Sequence, residues 1–186
     1  KNKDDKFHRS YNEKNWRILP RQAVHDSSSV TYPVFTAIAA PEVQNKLNGD
    51  FAIIAGPYLQ NLATGGCELD YTLTFVSEKF ISMVFFGVLD EGEKEIFAKI
   101  PLNIDVQTGA QLALGDVLNL RDADLLPVLR LLTKKDKVDF SKGIPESWYY
   151  NGTNFVFCQR SETGEWLEAT VAASDLKKFL LKPELF

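Results

Sequence analysis

The sequence predicts an α+β fold: an antiparallel sheet built from hairpins, packed against a long helix in the N-terminal half and two shorter helices. Three observations predict it. Apolar residues recur at three- and four-residue steps over residues 43–62, as on one buried helix face. Period-two, strand-like runs from residue 69 onward come in groups joined by short turns. Helices are too few to alternate with strands as a parallel sheet requires. The expected order is β, α, βββ, α, ββ, α.

Residues 1–29 are polar, with apolar spots at Phe7, Tyr11, Trp16, Ile18 and Leu19, and read as an N-terminal arm adding one or two strands. Ser27-Ser28-Ser29 reads as a loop. In the long helix, Val43, Leu47, Phe51, Ile54, Ala55, Tyr58 and Leu62 face the core, and Pro41 suits the first turn. Pro57 lacks the N–H that would bond back to residue 53, so with Gly56 it should kink or end the helix before Gly65-Gly66 closes the segment.

Leu69, Tyr71, Leu73 and Phe75 then alternate with Asp70, Thr72, Thr74 and Val76, a half-buried strand. Residues 80–89 are apolar on both faces, as in a central strand, and the short Ser77-Glu78-Lys79 connection implies antiparallel pairing. The strand over 95–106 turns Ile96, Ala98, Ile100, Leu102, Ile104 and Val106 inward, while Pro101, on the opposite phase, marks an edge or a bulge. Thr108-Gly109 reads as a tight hairpin turn. Asp116 suits the cap of a helical turn, Asp122 or Asp124 the cap of a helix ending near Leu132, and residues 133–143 a solvated loop. Strands 155–160 and 166–172 pair through Ser161 to Gly164, and Ser174 caps a last helix, 175–181, that buries Leu176, Phe179 and Leu180.

The 186 residues are 45% hydrophobic and 12% aromatic. That is enough to bury roughly two-thirds of the unfolded surface without staples. Disorder, a disulfide scaffold and an apolar run long enough to span a bilayer are all excluded. The net charge of −4 argues against a nucleic-acid binder. It is unevenly placed: residues 1–26 carry +3, with Lys1, Lys3, Lys6, Arg9, Lys14, Arg17 and Arg21 against Asp4, Asp5, Glu13 and Asp26, and the remainder −7. The chain opens without Met or an export-type apolar segment. Lys1 therefore either follows a removed signal or anchoring helix, or marks a domain cut from a longer protein.

Little standard chemistry is on offer. His8 and His25 sit in no ligand motif, so no metal is expected, and the absence of P-loop, GxGxxG, GxSxG, SxxK and HExxH patterns leaves no cofactor or catalytic signature. The chain is read as a non-enzyme. The alternative is a carboxylate-dependent hydrolase, which needs two carboxyl groups about 5–10 Å apart. Cys67 and Cys158 have no CxxC or neighbouring His. They are either independent buried thiols or one disulfide closing a loop of about ninety residues, contributing roughly 4 kcal/mol in an oxidising compartment. The run from Asp90 through Glu91, Glu93 and Glu95 is either a solvated turn or an attractor for a cation or basic protein. Trp148, Tyr149 and Tyr150, with Trp166, either stack on sugar rings or anchor a protein, or else fill the core. Asn151-Gly152-Thr153 matches a glycosylation acceptor, but a turn accounts for it.

Four stretches carry a family resemblance. Tyr32-Pro33-Val34-Phe35, then Asn45 in a helix, then Tyr71 to Phe75 leading into Phe80-Ile81-Ser82-Met83, resembles the opening of bacterial extracytoplasmic domains of unknown function 4163. Asn103-Ile104-Asp105-Val106-Gln107-Thr108-Gly109, continued by Leu112 to Leu118, resembles the companion family 3298. Trp148-Tyr149-Tyr150 before an Asn-Gly turn, and residues 171–181, fit the end of that pattern. The resemblance implies one domain over 30–186, 4163-like over about 30–90 and 3298-like over about 91–186. It also implies a secreted or membrane-anchored location outside a bacterial membrane. Among relatives, one such domain senses lysozyme in an anti-sigma factor and another accompanies a peptidoglycan deacetylase. The implied function is non-catalytic recognition of a lysozyme-like protein or cell-wall glycan, or a structural role in an envelope protein. One departure stands out: the relatives' "GGAHG" loop is replaced here by Gly87-Val88-Leu89-Asp90-Glu91-Gly92-Glu93, so a function resting on that loop does not carry over.

Overall fold

The structure, a computed structural model, describes residues 8–186. The expected features at Lys1, Lys3, Lys6 and Phe7 lie outside the described residues. Two sheets are present. The larger has six strands in chain order: β1 (Tyr11–Asn12), β2 (Arg17–His25), β3 (Ser28–Thr36), β4 (Cys67–Val76), β5 (Phe80–Asp90) and β6 (Glu95–Asp105). The smaller is a meander of β7 (Ser147–Tyr150), β8 (Asn154–Arg160) and β9 (Trp166–Ala172). Helices α1 (Pro41–Asn61), α2 (Leu114–Val117) and α3 (Leu125–Leu132) complete the α+β architecture. Neighbouring strands are antiparallel except β3 and β4, which meet in parallel at Ser29–Glu68 and Val30–Leu69. A parallel pair needs a long crossover, and α1 supplies it.

The buried face of α1 is Val43, Leu47, Phe51, Ala55 and Tyr58, all five expected from the helical step, while Ile54 and Leu62 are only half-buried. Phe51 stacks on Phe35 of β3 at 5.7 Å and leans on Phe85 of β5 at 6.3 Å. Pro57 does not end the helix, which runs on to Asn61. The carbonyl that Pro57 leaves without its N–H partner belongs to Ile53, whose side chain is 75% exposed, so water can satisfy it. Gly56, having no Cβ, also avoids the clash with the proline ring that normally forbids helix at that position. A residue of α1 that the sequence reading passed over pins it to the sheet: Asn48 Oδ1 accepts from Phe35 N at 2.7 Å and Nδ2 donates to Phe35 O at 3.0 Å. Asn45, the position quoted in the family pattern, is exposed.

Of Ser27-Ser28-Ser29, expected as a loop, only Ser27 lies in a turn, and Ser28 and Ser29 are strand residues. β2 and β3 form one hairpin around Asp26-Ser27, with Asp26 in the left-handed region at φ 50, and Ser28 is buried in the strand. Pro101 does sit on an edge strand, β6. The Thr108-Gly109 turn is held by Asp105 Oδ1, which accepts from Gln107 N, and is followed by a single bridge, Ile104 to Gln111, rather than a ladder. The last helix is a 3₁₀ segment, Ala173–Phe179. Its two buried residues, Leu176 and Phe179, are three apart, the period of a 3₁₀ helix, and Leu180 instead bridges to Leu118.

Two cores result. One lies between α1 and the large sheet; the other joins Phe80 to Leu129, Trp148, Phe155, Phe157 and Phe179. Between the cores a buried polar relay seats β7 on the large sheet. Tyr150 N donates to Ser82 Oγ (2.8 Å), Ser82 Oγ to Asn103 Oδ1 (2.7 Å), and Asn103 Nδ2 to Trp148 O (2.8 Å). An outer-edge N–H and C=O of β7 are thereby satisfied by two side chains of the larger sheet.

Candidate binding groove between the two sheets

Strand alternation decides what faces the corner between the sheets. On β5 and β6 the face turned away from α1 carries, rung by rung, Asp90 opposite Glu95, Val88 opposite Phe97, and Phe86 opposite Lys99. β4 adds Glu68 beside Val88 and Asp70 beside Phe86. From the smaller sheet, Arg160 and Trp166 close the other wall. The resulting groove encloses about 440 Å³. Its apolar surface is Phe86, Val88, Phe97 and Trp166, and Phe97 stands 57% exposed. A shallower recess continues past Glu68 and Val88 to Asp90 and Glu95.

The charges inside the groove are largely spoken for. Arg9 forks onto the Asp70 carboxylate, with Nε 2.7 Å from Oδ1. Lys99 bonds Glu168, and its ammonium lies 5.6–5.9 Å from the ring centroids of Phe86, Tyr149 and Trp166, within cation–π range. Tyr149 Oη donates to the same carboxylate at 3.3 Å. Burial first, and then the Glu168 charge, push the Tyr149 phenol well above its ordinary value. The same two causes raise the Cys158 thiol to about 12, although the Lys99 charge opposes the rise. Arg160 spans the wall, donating from Nη2 to Phe97 O at 2.6 Å and from Nε to Gly164 O at 3.3 Å. At the mouth, Glu68, Asp90 and Glu95 are exposed, as are Glu91 and Glu93 on the hairpin beyond it.

The expected site residues thus part company. Asp90 and Glu95 border the groove, Asp90 packed over Gly66 and accepting from Gly92 N at 2.8 Å; Glu91 and Glu93 occupy the hairpin tip beyond it. Trp148 and Tyr150 are corrected to core residues: at 2% and 4% exposure, packed on Phe155, they offer no face to a ligand. Tyr149, on the opposite phase, turns toward Lys99 and Glu168. The cysteines are both free and buried: Cys67 Sγ donates to Tyr58 O, and Cys158 Sγ lies 3.8 Å from Val156 O. Of the two readings, the structure has independent thiols and no bridge. His8 and His25 are exposed, and among the described residues no cluster of His, Cys, Asp and Glu could hold a metal ion. Phe97, like Phe86, Lys99 and Glu168, is a groove residue that sequence reasoning missed. Its signal was present, as a large apolar side chain on the outward phase of β6.

No family model matches the chain, and no curated protein matches it. Solved structures resemble it. A member of the domain-of-unknown-function family 3298 from Bacteroides fragilis superposes with a TM-score of 0.62 at 12% identity, covering 93% of this chain and 95% of that one. A family 3298 protein from Pseudomonas aeruginosa superposes with a TM-score of 0.58 at 12% identity, covering 94% and 97%. At this identity the likeness is one of fold, extending over nearly the whole of each chain.

Proposed function

We propose that the chain is a non-catalytic recognition domain, acting outside a bacterial membrane, that binds a basic protein of the lysozyme type or a cell-wall ligand in the corner groove. One observation carries the reading: an exposed aromatic side chain, Phe97, lies on an apolar floor whose mouth is lined by carboxylates. Apolar surface left open inside a groove supplies binding energy, and a one-signed rim steers an oppositely charged partner. Recognition is favoured over hydrolysis by the placing of the acids. Asp70 and Glu168, the deeper carboxylates, are ion-paired, and those at the mouth face solvent, whereas a general acid needs a carboxyl held in apolar surroundings. The extracytoplasmic location rests on the resemblance to families 4163 and 3298.

Calorimetry with hen lysozyme and with soluble peptidoglycan fragments tests this. Saturable heat with either, lost in Phe97→Ser, is expected. Turnover of the fragments, or no heat with both, contradicts it.

A further inference from the structure

The spacing of the groove's rungs narrows the ligand, on the reading just given that this groove is the binding site. Along a strand, residues on one face recur every second position, about 6.6–6.8 Å apart. Val88 and Phe97 form one such rung, and Asp90 and Glu95 the next toward the mouth, with Glu68 flanking the apolar rung. An apolar seat and a carboxylate pair therefore stand one double-residue step apart on a single face. On the other side of the apolar seat the next rung carries Lys99 and Asp70, each already ion-paired, to Glu168 and Arg9, and Arg160 is bound to Phe97 O. An extended polypeptide repeats its own same-side side chains at this step.

We propose that the groove recognises an extended segment of a basic protein carrying an apolar residue and, two positions away, a lysine or arginine. The apolar side chain lies against Phe97, Val88 and Trp166, and the cation reaches Asp90 and Glu95. Charge complementarity selects a polypeptide over a neutral glycan, which would leave the carboxylate rung unanswered. The exposed carboxylate pair lies on one side of the apolar seat only, whereas the acids of the inner rung are already ion-paired, so the match has a polarity. An adjacent apolar–basic pair fails because neighbouring side chains of an extended chain point to opposite sides.

Fluorescence anisotropy separates the possibilities, using two labelled heptapeptides of identical composition in Leu, Lys and Ser. In one, Leu and Lys are two positions apart; in the other they are adjacent. The first is expected to bind saturably and about tenfold more tightly, the worth of roughly one well-placed charge contact with its apolar neighbour. Phe97→Ser and the pair Glu68→Lys with Glu95→Lys, all exposed positions, should each abolish the difference. Equal binding of the two peptides overturns the spacing rule. Binding of lysozyme or peptidoglycan fragments with no binding of either peptide also overturns the inference, but leaves the recognition reading standing. Failure of all the probes removes both.

Discussion

Replacing Asn103 with alanine should cost about 2–4 kcal/mol, and the structure says where that free energy goes. Asn103 is 4% exposed and Ser82 fully buried, so neither loss is repaired by bulk water. The substitution strips the Ser82 hydroxyl of its acceptor and the Trp148 carbonyl of its donor, two buried orphans worth about 1–3 kcal/mol each. For a chain of this size the melting temperature should fall on the order of 10 °C. Ser82→Ala orphans a different pair, Tyr150 N and Asn103 Oδ1. The double variant leaves only Tyr150 N and Trp148 O unsatisfied. It should therefore be barely less stable than either single variant, with a coupling about as large as one single loss, about 2–4 kcal/mol. Urea denaturation followed by circular dichroism measures all three. An Asn103→Ala cost under about 0.5 kcal/mol, or additive single losses, would refute the relay.

Three further outcomes follow from the same packing. Asn48→Ala should cost about 1–3 kcal/mol in urea denaturation, because it frees both backbone groups of Phe35, whereas exposed Asn45→Ala should stay within about 0.5 kcal/mol. Gly87→Ala would place a Cβ 1.9 Å from the Tyr58 hydroxyl, so a loss of about 3 kcal/mol is expected; Gly49→Ala, in open space within α1, should gain about 0.5–1 kcal/mol. Cys158, raised from 9.0 to about 12, contributes stability that is present below pH 9 and lost as pH climbs toward 12, and the buried phenols of Tyr71 and Tyr149 act in the same direction. The melting temperature should fall steadily above pH 9, and a disulfide-exchange reagent at pH 8 should leave the folded Cys158 unmodified. A flat alkaline profile, or prompt labelling, goes against the buried-thiol assignment.

Much of the fold was legible because single elements obey one period. The helical stripe from Val43 to Tyr58 and the alternation along β4 and β6 each name their buried face directly. What failed was decided by partners outside the local window. Pro57 is tolerated because the carbonyl it abandons faces water, and Ser28 is a strand residue because β2 folds back on it. Residues 173–179 wind as 3₁₀, and the next residue, Leu180, leaves the helix to bridge with Leu118, a partner about sixty residues away. The groove was half legible. The acidic hairpin was visible as composition, but its relation to Phe97 and Trp166 depends on how two sheets meet, and that is set by Ser82 and Asn103, far apart in sequence. The aromatic triplet misled for the converse reason. Period two sends Trp148 and Tyr150 into the core and leaves only Tyr149 on the groove side.

The most direct test of the account is amide chemical-shift mapping of the labelled chain during titration with hen lysozyme and with soluble peptidoglycan fragments. The account predicts perturbations confined to residues 68–70, 86–90, 95–99 and 160–166. Shifts centred instead on the exposed leucines of α3, or none with either lysozyme or soluble peptidoglycan fragments, would contradict it.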